Sequence, residues 1–310
     1  MTNIRNQCSW VHKDDMPTAT QKAKDLVRMS VAKVALHEPL QEPVMKINQA
    51  ALVIGGGVAG MMAARTLSQQ GYPTHLVEKD SQLGGRALFL NESWQGEKVG
   101  RFLEDLIDRV QNDKDITVHL NAEIREVEGF VGNFKTTVQA GGHPVSLEHG
   151  VTIIACGASE YKPDDYLHGQ DTRVLTGLEL QLKLKEGSPF EACRTAVFVQ
   201  CVGSRIDKRP YCSKVCCTRS IKSALELKAL NPGMDIFILY RDLRSYGLRE
   251  DLYRQAREQG IKFIRYNTAR GIAVKPAENR LKVEFTDRVL RRPMVIHGDM
   301  LVLALSLIHI

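Results

Sequence analysis

The chain has 310 residues, of which 43% are hydrophobic and 25% charged, with a formal net charge of +6. These proportions are typical of a globular protein, exclude fibrous and disordered classes, and allow two domains of ordinary size. No apolar run is long enough to span a membrane, and the first residues lack the apolar core of a signal peptide. Basic residues are mostly interleaved with acidic ones, so nucleic-acid binding is not expected, and we predict a cytoplasmic location.

An amphipathic helix is predicted over residues 14–36, where apolar side chains recur at helical spacing. Thr18 or Thr20 is the expected N-terminal cap. Pro39 and Pro43 then interrupt the pattern and indicate a linker.

A βαβ unit begins with the apolar strand 50–54, continues through a glycine-rich turn and a helix, and ends with the strand 74–78. The turn carries the motif G-x-G-x-x-G, formed by Gly55, Gly57 and Gly60. The first glycine permits a tight turn, the second lets the backbone approach a pyrophosphate, and the third allows close helix packing. Glu78 closes the second strand, where an acid bonds a ribose hydroxyl. The whole unit predicts a dinucleotide site.

The loop that follows Glu78 favours FAD over NAD. Its Glu-Lys and Gly-Gly pairs resemble two-dinucleotide-binding flavoproteins, in which this loop lies along the FAD. The residues concerned are Lys79, Gly84, Gly85 and Arg86. The FAD domain of those proteins also has a strand that ends in Ala-Thr-Gly. Here the segment is Ala155-Cys156-Gly157, and we expect Cys156 to be a small buried residue.

A second βαβ unit starts near Thr195. We predict its elements as strand 196–200, helix 217–230, strand 235–240, helix 249–259 and strand 261–266. Further strands are predicted at 118–120, 134–139, 282–286 and 299–305, with a turn-rich stretch between the first two. Strands that alternate with helices favour parallel sheets, so the predicted fold is α/β with two Rossmann-like domains.

Four of the seven cysteines crowd into the second unit, at the end of one strand and the start of a helix. They are Cys201, Cys212, Cys216 and Cys217. Four thiolates that converge suit a [4Fe-4S] cluster or a zinc ion, although the spacing matches neither the usual zinc pairs nor the ferredoxin run. Reactive thiols are a third interpretation. Basic side chains around the site would favour thiolates or an anionic cluster, or form a solvated surface: Arg205, Lys208, Arg209, Lys214, Arg219 and Lys222.

The turn after the strand 196–200 reads Cys201-Val-Gly203-Ser, so it lacks the glycines that would hold a nicotinamide pyrophosphate. We infer that this domain has exchanged a nicotinamide site for a metal site.

The order of G-G-G-V-A-G, V-E-K, L-G-G, C-V-G-S-R, Y-C-S-K-V-C-C and L-Y-R-D closely resembles the family of heterodisulfide reductase A-type subunits. The resemblance implies a thioredoxin-reductase-like FAD domain and a [4Fe-4S] cluster held by Cys201, Cys212, Cys216 and Cys217. It also implies a cytoplasmic complex with B- and C-type subunits and a hydrogenase or a formate- or NADH-linked donor. The FAD would divide electron pairs between ferredoxin and a disulfide acceptor.

The chain departs from that family at both ends, and we expect a fragment that binds FAD weakly and is inactive alone. Family members begin well upstream with a domain that holds a further cluster, so Cys8 is either a ligand of that cluster or an ordinary buried cysteine. Residues 305–310 match the translation of a transposon end used in preparing sequencing libraries. We expect this tail to be non-native, with the returning part of the FAD domain missing.

We therefore predict four segments: 1–46, a helical segment and linker; 47–190, the first part of the FAD domain with a crossover; 191–304, the second Rossmann-like domain; and 305–310, the tail. The leading hypothesis is an electron-transfer oxidoreductase component in which no acid–base residue stands out. One alternative is a zinc-stabilised flavin-binding or scaffold module, and another is a component of a related quinone-linked complex. A thiol–disulfide oxidoreductase that uses Cys216 and Cys217 is disfavoured, because such enzymes usually have C-x-x-C.

Overall fold

The computed structural model describes residues 1–42, 44–187, 190–305 and 307–309. The chain divides into two compact units, Met1–Lys46 and Ile47–Ile310. No helix among the described residues has both the length and the apolar character needed to cross a bilayer.

The first unit is dominated by one helix, α1 (Met16–Ala35), which confirms the helix expected over 14–36. The expected cap was wrong. Asp15 caps the helix, and its carboxylate accepts hydrogen bonds from the Thr18 amide at 3.1 Å and the Thr18 hydroxyl at 2.6 Å. Asp is as good a cap as Ser or Thr, and Pro17 fits the first turn because no intrahelical donor is lost there.

Cys8 lies in a π-helical turn, Arg5–Ser9, and is 1% exposed. A buried position suits an ordinary core cysteine, while the proposed ligand role remains a prediction.

The second unit holds all the remaining elements in two halves. Its first half contains, in chain order, β1 (Ala51–Ile54), α2 (Val58–Gln69), β2 (Thr74–Val77), α3 (Val99–Gln111), β3 (Ile116–His119), β4 (Ala122–Phe130), β5 (Asn133–Ala140), β6 (His143–His149), β7 (Val151–Ile154) and β8 (Ala158–Glu160). Its second half contains β9 (Val174–Thr176), α4 (Gly177–Lys185), β10 (Thr195–Val202), α5 (Cys216–Leu230), β11 (Asp235–Tyr240), α6 (Glu250–Glu258), β12 (Lys262–Arg265), β13 (Ile272–Ala277), β14 (Arg280–Thr286), β15 (Pro293–Gly298), β16 (Met300–Leu305) and β17 (Leu307–His309).

In the first half, a parallel sheet of order β3-β2-β1-β7 is sandwiched between two layers. Val53 faces α2 and α3, where Met61 and Leu106 are buried. Leu52, the preceding residue, faces the antiparallel strands β4-β5-β6 and packs with Val138. Both faces of β1 are therefore covered, which is why its sequence is apolar throughout.

The second half repeats this plan around a parallel sheet of order β12-β11-β10-β16-β9. Phe198 on one face packs against α5 through Ile221, and Val199 on the other face packs against the antiparallel strands β13-β14-β15 through Val283. The predicted α/β class with two Rossmann-like domains is confirmed.

A loop of the first half is fixed to the helices of the second. Lys222 of α5 donates to the Glu92 carboxylate at 2.8 Å, and Lys185 of α4 donates to the Leu88 carbonyl at 2.7 Å. The Arg249 guanidinium lies over the Trp94 ring, 5.7 Å from its centre. We call residues 88–98 the bridging loop, because it joins the two halves.

Several element predictions were incomplete. The stretch described as turn-rich contains the nine-residue strand β4. Helices α3 and α4 and strands β6, β8, β9, β13, β15 and β17 were not predicted. Strand β9 belongs to the second sheet, so the chain reaches that sheet before the predicted boundary at 190/191. In the predicted tail 305–310, Ser306 and Ile310 lie outside the described residues, while β17 pairs antiparallel with β8. The origin of this tail and the domain boundaries remain predictions.

Candidate functional site

The glycine-rich turn connects β1 to α2, and two of its glycines are required by packing. Gly55 has φ +111°, and a Cβ there would lie 2.4 Å from the Ala155 carbonyl oxygen. A Cβ on Gly60 would lie 1.8 Å from the Gly55 carbonyl oxygen. Any larger residue at these two positions would push apart β7, β1 and α2.

Gly57 differs, because a Cβ on it would meet no heavy atom within 4 Å. It has φ −73°, which any residue adopts, and it directly precedes α2. Neither packing nor backbone conformation therefore explains a glycine here. The open space lies at a helix N-terminus, where a pyrophosphate approaches the backbone in dinucleotide sites.

Glu78 follows β2 and is 7% exposed. One carboxylate oxygen accepts the Gly56 amide hydrogen at 2.5 Å, and the other accepts the Asp80 amide hydrogen at 2.9 Å. The carboxylate thus fixes the glycine turn to the next loop. Each oxygen keeps a further lone pair, which is what a bond to a ribose hydroxyl requires.

The Gly84-Gly85 pair lies directly against the glycine turn. The Gly84 amide donates to the Gly56 carbonyl at 2.8 Å, and a Cβ on Gly85 would lie 3.2 Å from the Gly57 Cα. Both glycines of the pair have positive φ, +117° and +52°. Two loops that are distant in sequence therefore form one glycine-lined surface.

Three further predicted residues lie around this surface. Arg86 donates from Nε to the Ala158 carbonyl, next to Gly157, which has φ +68°. Lys79 is exposed in the turn after Glu78. Cys156 was expected to be buried, but it is exposed, because the strand β7 ends at Ile154 and the chain leaves the sheet there.

The cysteine segment lies at the corresponding position of the second half, where β10 ends and α5 begins. Cys201 is 5% exposed, and its φ of +63° is unusual for a residue other than glycine. Cys216 and Cys217, the first residues of α5, are 6% and 3% exposed. Cys212 is half-buried in the intervening loop.

Three of the four thiols influence one another. A hydrogen bond from the Cys217 thiol lowers the pKa of Cys216, and the Ser213 hydroxyl adds another at 3.6 Å. The same contact raises the pKa of Cys217, with burial as a second cause. Burial first, and then the charge of Cys216, raises the pKa of Cys201. We call Cys201, Cys216 and Cys217 the thiol trio.

Cys212 has a different neighbour, since its Sγ accepts the Lys214 amide hydrogen at 3.4 Å. Among the residues with a described placement, no three His, Cys, Asp or Glu side chains are grouped so that they could hold a metal ion. The structure thus brings only part of the sequence-predicted set together: Cys216 and Cys217 are hydrogen-bonded to each other, Cys201 feels the charge of Cys216, and Cys212 lies in the loop between β10 and α5.

The six predicted basic residues have different roles. Arg205 forms an ion pair with Asp242 and also lowers the pKa of Cys201. Arg219 is half-buried; burial lowers the pKa of its guanidinium, and the charges of Glu160 and Cys216 oppose this effect. The remaining four serve elsewhere or are exposed: Arg209 donates to the Gly203 carbonyl, Lys222 bonds Glu92, and Lys208 and Lys214 lie at the surface.

Sequence reasoning missed two buried polar residues that adjoin cysteines in the sequence, Gln200 and Thr218, which are 1% and 6% exposed. Their buried side-chain nitrogen and oxygen atoms have no hydrogen-bond partner among the described residues. Gln200 could have been noticed as the one amide within the apolar strand β10.

Both candidate groups can be tested against these residues. The open space at Gly57 and the buried Glu78 carboxylate fit a dinucleotide such as FAD. The cysteine segment of the second half supplies four free cysteines, three of them buried, as sulfur donors, but the described residues do not group three of them as a metal site.

The fold defines the class of protein. Thioredoxin reductase of T. acidophilum matches with a TM-score of 0.57 at 14% identity, over 83% of this chain and 76% of that one. The Lactococcus lactis enzyme gives 0.58 at 16% identity, over 84% and 78%. A family model for an NAD(P)-binding Rossmann-like domain matches residues 53–100. The chain has the pyridine nucleotide–disulfide oxidoreductase fold, in its thioredoxin-reductase-like form.

Curated relatives confirm the resemblance to heterodisulfide reductase A-type subunits that the motifs indicated. The chain is 29% identical to the A-type subunit of the H(2):CoB-CoM heterodisulfide,ferredoxin reductase of Methanothermobacter thermautotrophicus, over 99% of this chain and 60% of the relative. It is 28% identical to the A-type iron-sulfur subunit of the CoB–CoM heterodisulfide reductase of Methanocaldococcus jannaschii, over 98% and 61%. The chain thus spans about 60% of the length of these relatives.

Proposed function

We propose that this chain is part of an electron-transfer oxidoreductase subunit that binds FAD in its first half and a [4Fe-4S] cluster in its second. The observation that carries the proposal is the parallel placement of two unlike sites. Each follows the central strand of a parallel sheet, where ligands bind in this class of fold. One site is a glycine-lined surface and the other is a group of buried thiols.

In the first site, the open position at Gly57 would let the pyrophosphate approach the backbone, and Glu78 would bond a ribose hydroxyl. Lys79, Gly84, Gly85, Arg86 and Gly157 would line the remainder of the FAD. Bound FAD would take up electron pairs, and the cluster would pass single electrons onward.

In the second site, Cys201, Cys216 and Cys217 would supply three thiolates and Cys212 the fourth. Burial of the trio would exclude water from the sulfur atoms. Arg205 and Arg219 would compensate the negative charge of the thiolates.

The partners are proposed from the relatives and from the motif resemblance. The names of the relatives include CoB-CoM heterodisulfide and ferredoxin. We propose that the whole protein passes electrons between a donor such as a hydrogenase, ferredoxin, and a disulfide reductase module of B- and C-type subunits. A cytoplasmic location belongs to the same proposal.

Iron, acid-labile sulfide and zinc should be measured on the anaerobically reconstituted chain, together with bound flavin. We expect about four iron and four sulfide per chain, and a marked loss of both in Cys216→Ser. Cys193→Ser is the matched control, because Cys193 is partly buried in the same half but lies outside the trio. Zinc without sulfide in the parent would instead support the zinc-stabilised module.

A further inference from the structure

The turn between β14 and β15 exposes three arginines and two aliphatic side chains. Arg288, Arg291 and Arg292 are all exposed. Between the first and second of them, Val289 is 77% exposed and Leu290 is 53% exposed. The turn therefore presents apolar surface and positive charge together to its surroundings.

A fourth exposed arginine, Arg265 at the end of β12, lies beside this turn. Its carbonyl accepts the Arg288 amide hydrogen at 2.9 Å, and its side chain donates from Nε to the Arg241 carbonyl at 2.7 Å. Arg241 in turn donates to the carbonyl of Arg205, in the cysteine segment, at 2.7 Å. The four exposed residues form what we call the arginine patch: Arg265, Arg288, Arg291 and Arg292.

The charge of the arginine patch is not balanced by the surrounding chain. Among the residues whose placement is described, no carboxylate is paired with any of its four guanidinium groups. Asp287 is the one acid of the turn, and its carboxylate accepts the amide hydrogens of Val289 and Leu290 at 2.7 and 2.9 Å. Like charges on adjoining segments repel one another, so folding alone does not favour this collection of arginines.

The backbone of Arg291 is a second, independent indication. Its φ is +54°, in the left-handed region where a turn favours glycine. Nothing within the turn offsets the strain, because the guanidinium group is exposed and unpaired. Strained residues of this kind are retained where they have a function, and here a contact with another molecule accounts for the arginine.

The composition of the patch distinguishes among anionic partners. All its charges are arginines, whose planar guanidinium groups bind carboxylates through two parallel hydrogen bonds. Protein interfaces are enriched in arginine and depleted in lysine. The turn has no aromatic residue, whereas membrane interfaces attract Trp and Tyr, and single-stranded nucleic acids stack on aromatic rings. An acidic protein surface is therefore the partner that fits.

We propose that the arginine patch docks an acidic partner protein, whose carboxylates pair with the guanidinium groups while an apolar side chain packs on Val289 and Leu290. The inference does not rest on the proposed function, because neither FAD nor a cluster enters it. The Arg241 contacts place the docked partner next to the cysteine segment.

The test is the fluorescence anisotropy of a labelled peptide in which glutamates flank a single leucine. The variant Arg288→Gln/Arg291→Gln/Arg292→Gln should weaken its binding by about tenfold or more at low salt, because three exposed ion pairs are lost. A peptide with glutamines in place of the glutamates should bind neither chain. Val289→Ser/Leu290→Ser should weaken binding of the leucine peptide but not of the same peptide with serine in place of leucine.

The matched control removes the same net charge from the first half. It changes the exposed Arg101, Arg109 and Arg125 to Gln and should leave the affinity within about twofold of the parental value. Equal weakening by both triple variants would mean that net charge alone attracts the peptide, and would overturn the proposal.

Parental affinity in the patch variant, or no binding by the parent chain, would overturn it as well. Vesicles of phosphatidylserine and phosphatidylcholine and a single-stranded oligonucleotide are measured alongside. If the patch variant loses binding to either of these and keeps binding to the peptide, the partner is not an acidic protein. If the triple variant fails to fold, Arg292→Gln decides alone, with an expected loss of about threefold.

Discussion

Gly57 and Gly60 belong to one motif but meet different surroundings. A Cβ on Gly60 would clash with the Gly55 carbonyl, whereas a Cβ on Gly57 would point into open space. One glycine is therefore needed by the fold and the other, in our proposal, by the ligand. Alanine substitutions can separate these two requirements.

Gly60→Ala should lower the free energy of unfolding by about 3 kcal/mol, because backbone atoms must move to admit the methyl group. Gly57→Ala should change it by less than about 1 kcal/mol, since only the helix cap is affected. In contrast, Gly57→Ala should weaken FAD binding at least about tenfold, or 1.4 kcal/mol. Chemical denaturation and flavin titration measure the two effects. Parental FAD affinity in Gly57→Ala would exclude a pyrophosphate at this glycine.

At the scale of elements, three histidines lie between the first parallel sheet and the strands β4-β5-β6. The His75 Nδ1 and His119 Nε2 atoms are 3.3 Å apart on neighbouring strands. The His149 Nδ1 atom lies 3.1 Å from the Val151 carbonyl and can only donate to it, so its Nε2 accepts from the Thr136 hydroxyl, at 2.8 Å, in the neutral ring. Burial is the main cause that lowers the pKa of all three.

These lowered pKa values predict that acid destabilises the first half. The unfolded chain binds protons near the ordinary histidine value of 6.5, before the folded chain does. The contribution of these histidines to the free energy of unfolding is therefore fully present above pH 6.5. It is lost as the pH falls through their lower pKa values in the folded chain. The melting temperature of the parent should be lower at pH 5.5 than at pH 7.5. In His75→Gln the difference between these two melting temperatures should be smaller by a few degrees. The exposed His143, changed to Gln, is the control, and an equal narrowing there would contradict the prediction.

The elements found from the sequence are those with local signals. The glycine turn and the apolar strand β1 can each be predicted from a few consecutive residues. The stop signal Asn231-Pro232-Gly233 likewise predicts the end of α5. Strand β4 carries no such signal, because most of its residues are exposed and its apolar positions are few. Its pairing with β5 depends on residues that only the fold brings together.

The candidate site likewise has features that the sequence predicts and features that only the fold determines. The four cysteines and the glycines are visible as residue types at characteristic spacings. The absence of partners for Gln200 and Thr218 among the described residues is not visible, since hydrogen bonding depends on which atoms lie nearby in three dimensions. Likewise, the exposure of Cys156 depends on where β7 ends.

At the scale of the whole molecule, the bridging loop 88–98 holds the two halves together. The Glu92 carboxylate accepts from Lys222 at 2.8 Å and from Lys98 at 2.6 Å, and these bonds lower its pKa, with Lys222 as the larger cause. Lys222 and Glu92 are both 20% exposed, so the pair is partly shielded from water.

Lys222→Ala should lower the free energy of unfolding by about 1 kcal/mol, because a partly buried ion pair is lost. It should also speed amide hydrogen exchange in residues 91–98, measured by mass spectrometry. Lys183→Ala, an exposed lysine on α4, should do neither. Unchanged exchange in Lys222→Ala would mean that the contacts of Lys185 and Arg249 suffice to hold the loop.

The left-handed backbone conformation of Cys201 costs stability at a position where the proposed function requires a thiol. Glycine adopts a φ of +63° freely, whereas a residue with a Cβ is strained there by roughly 1 kcal/mol. An engineer looking only at backbone conformation would therefore choose glycine here, which relieves the strain but also removes a buried side chain. The exchange would delete one of the proposed ligands as well.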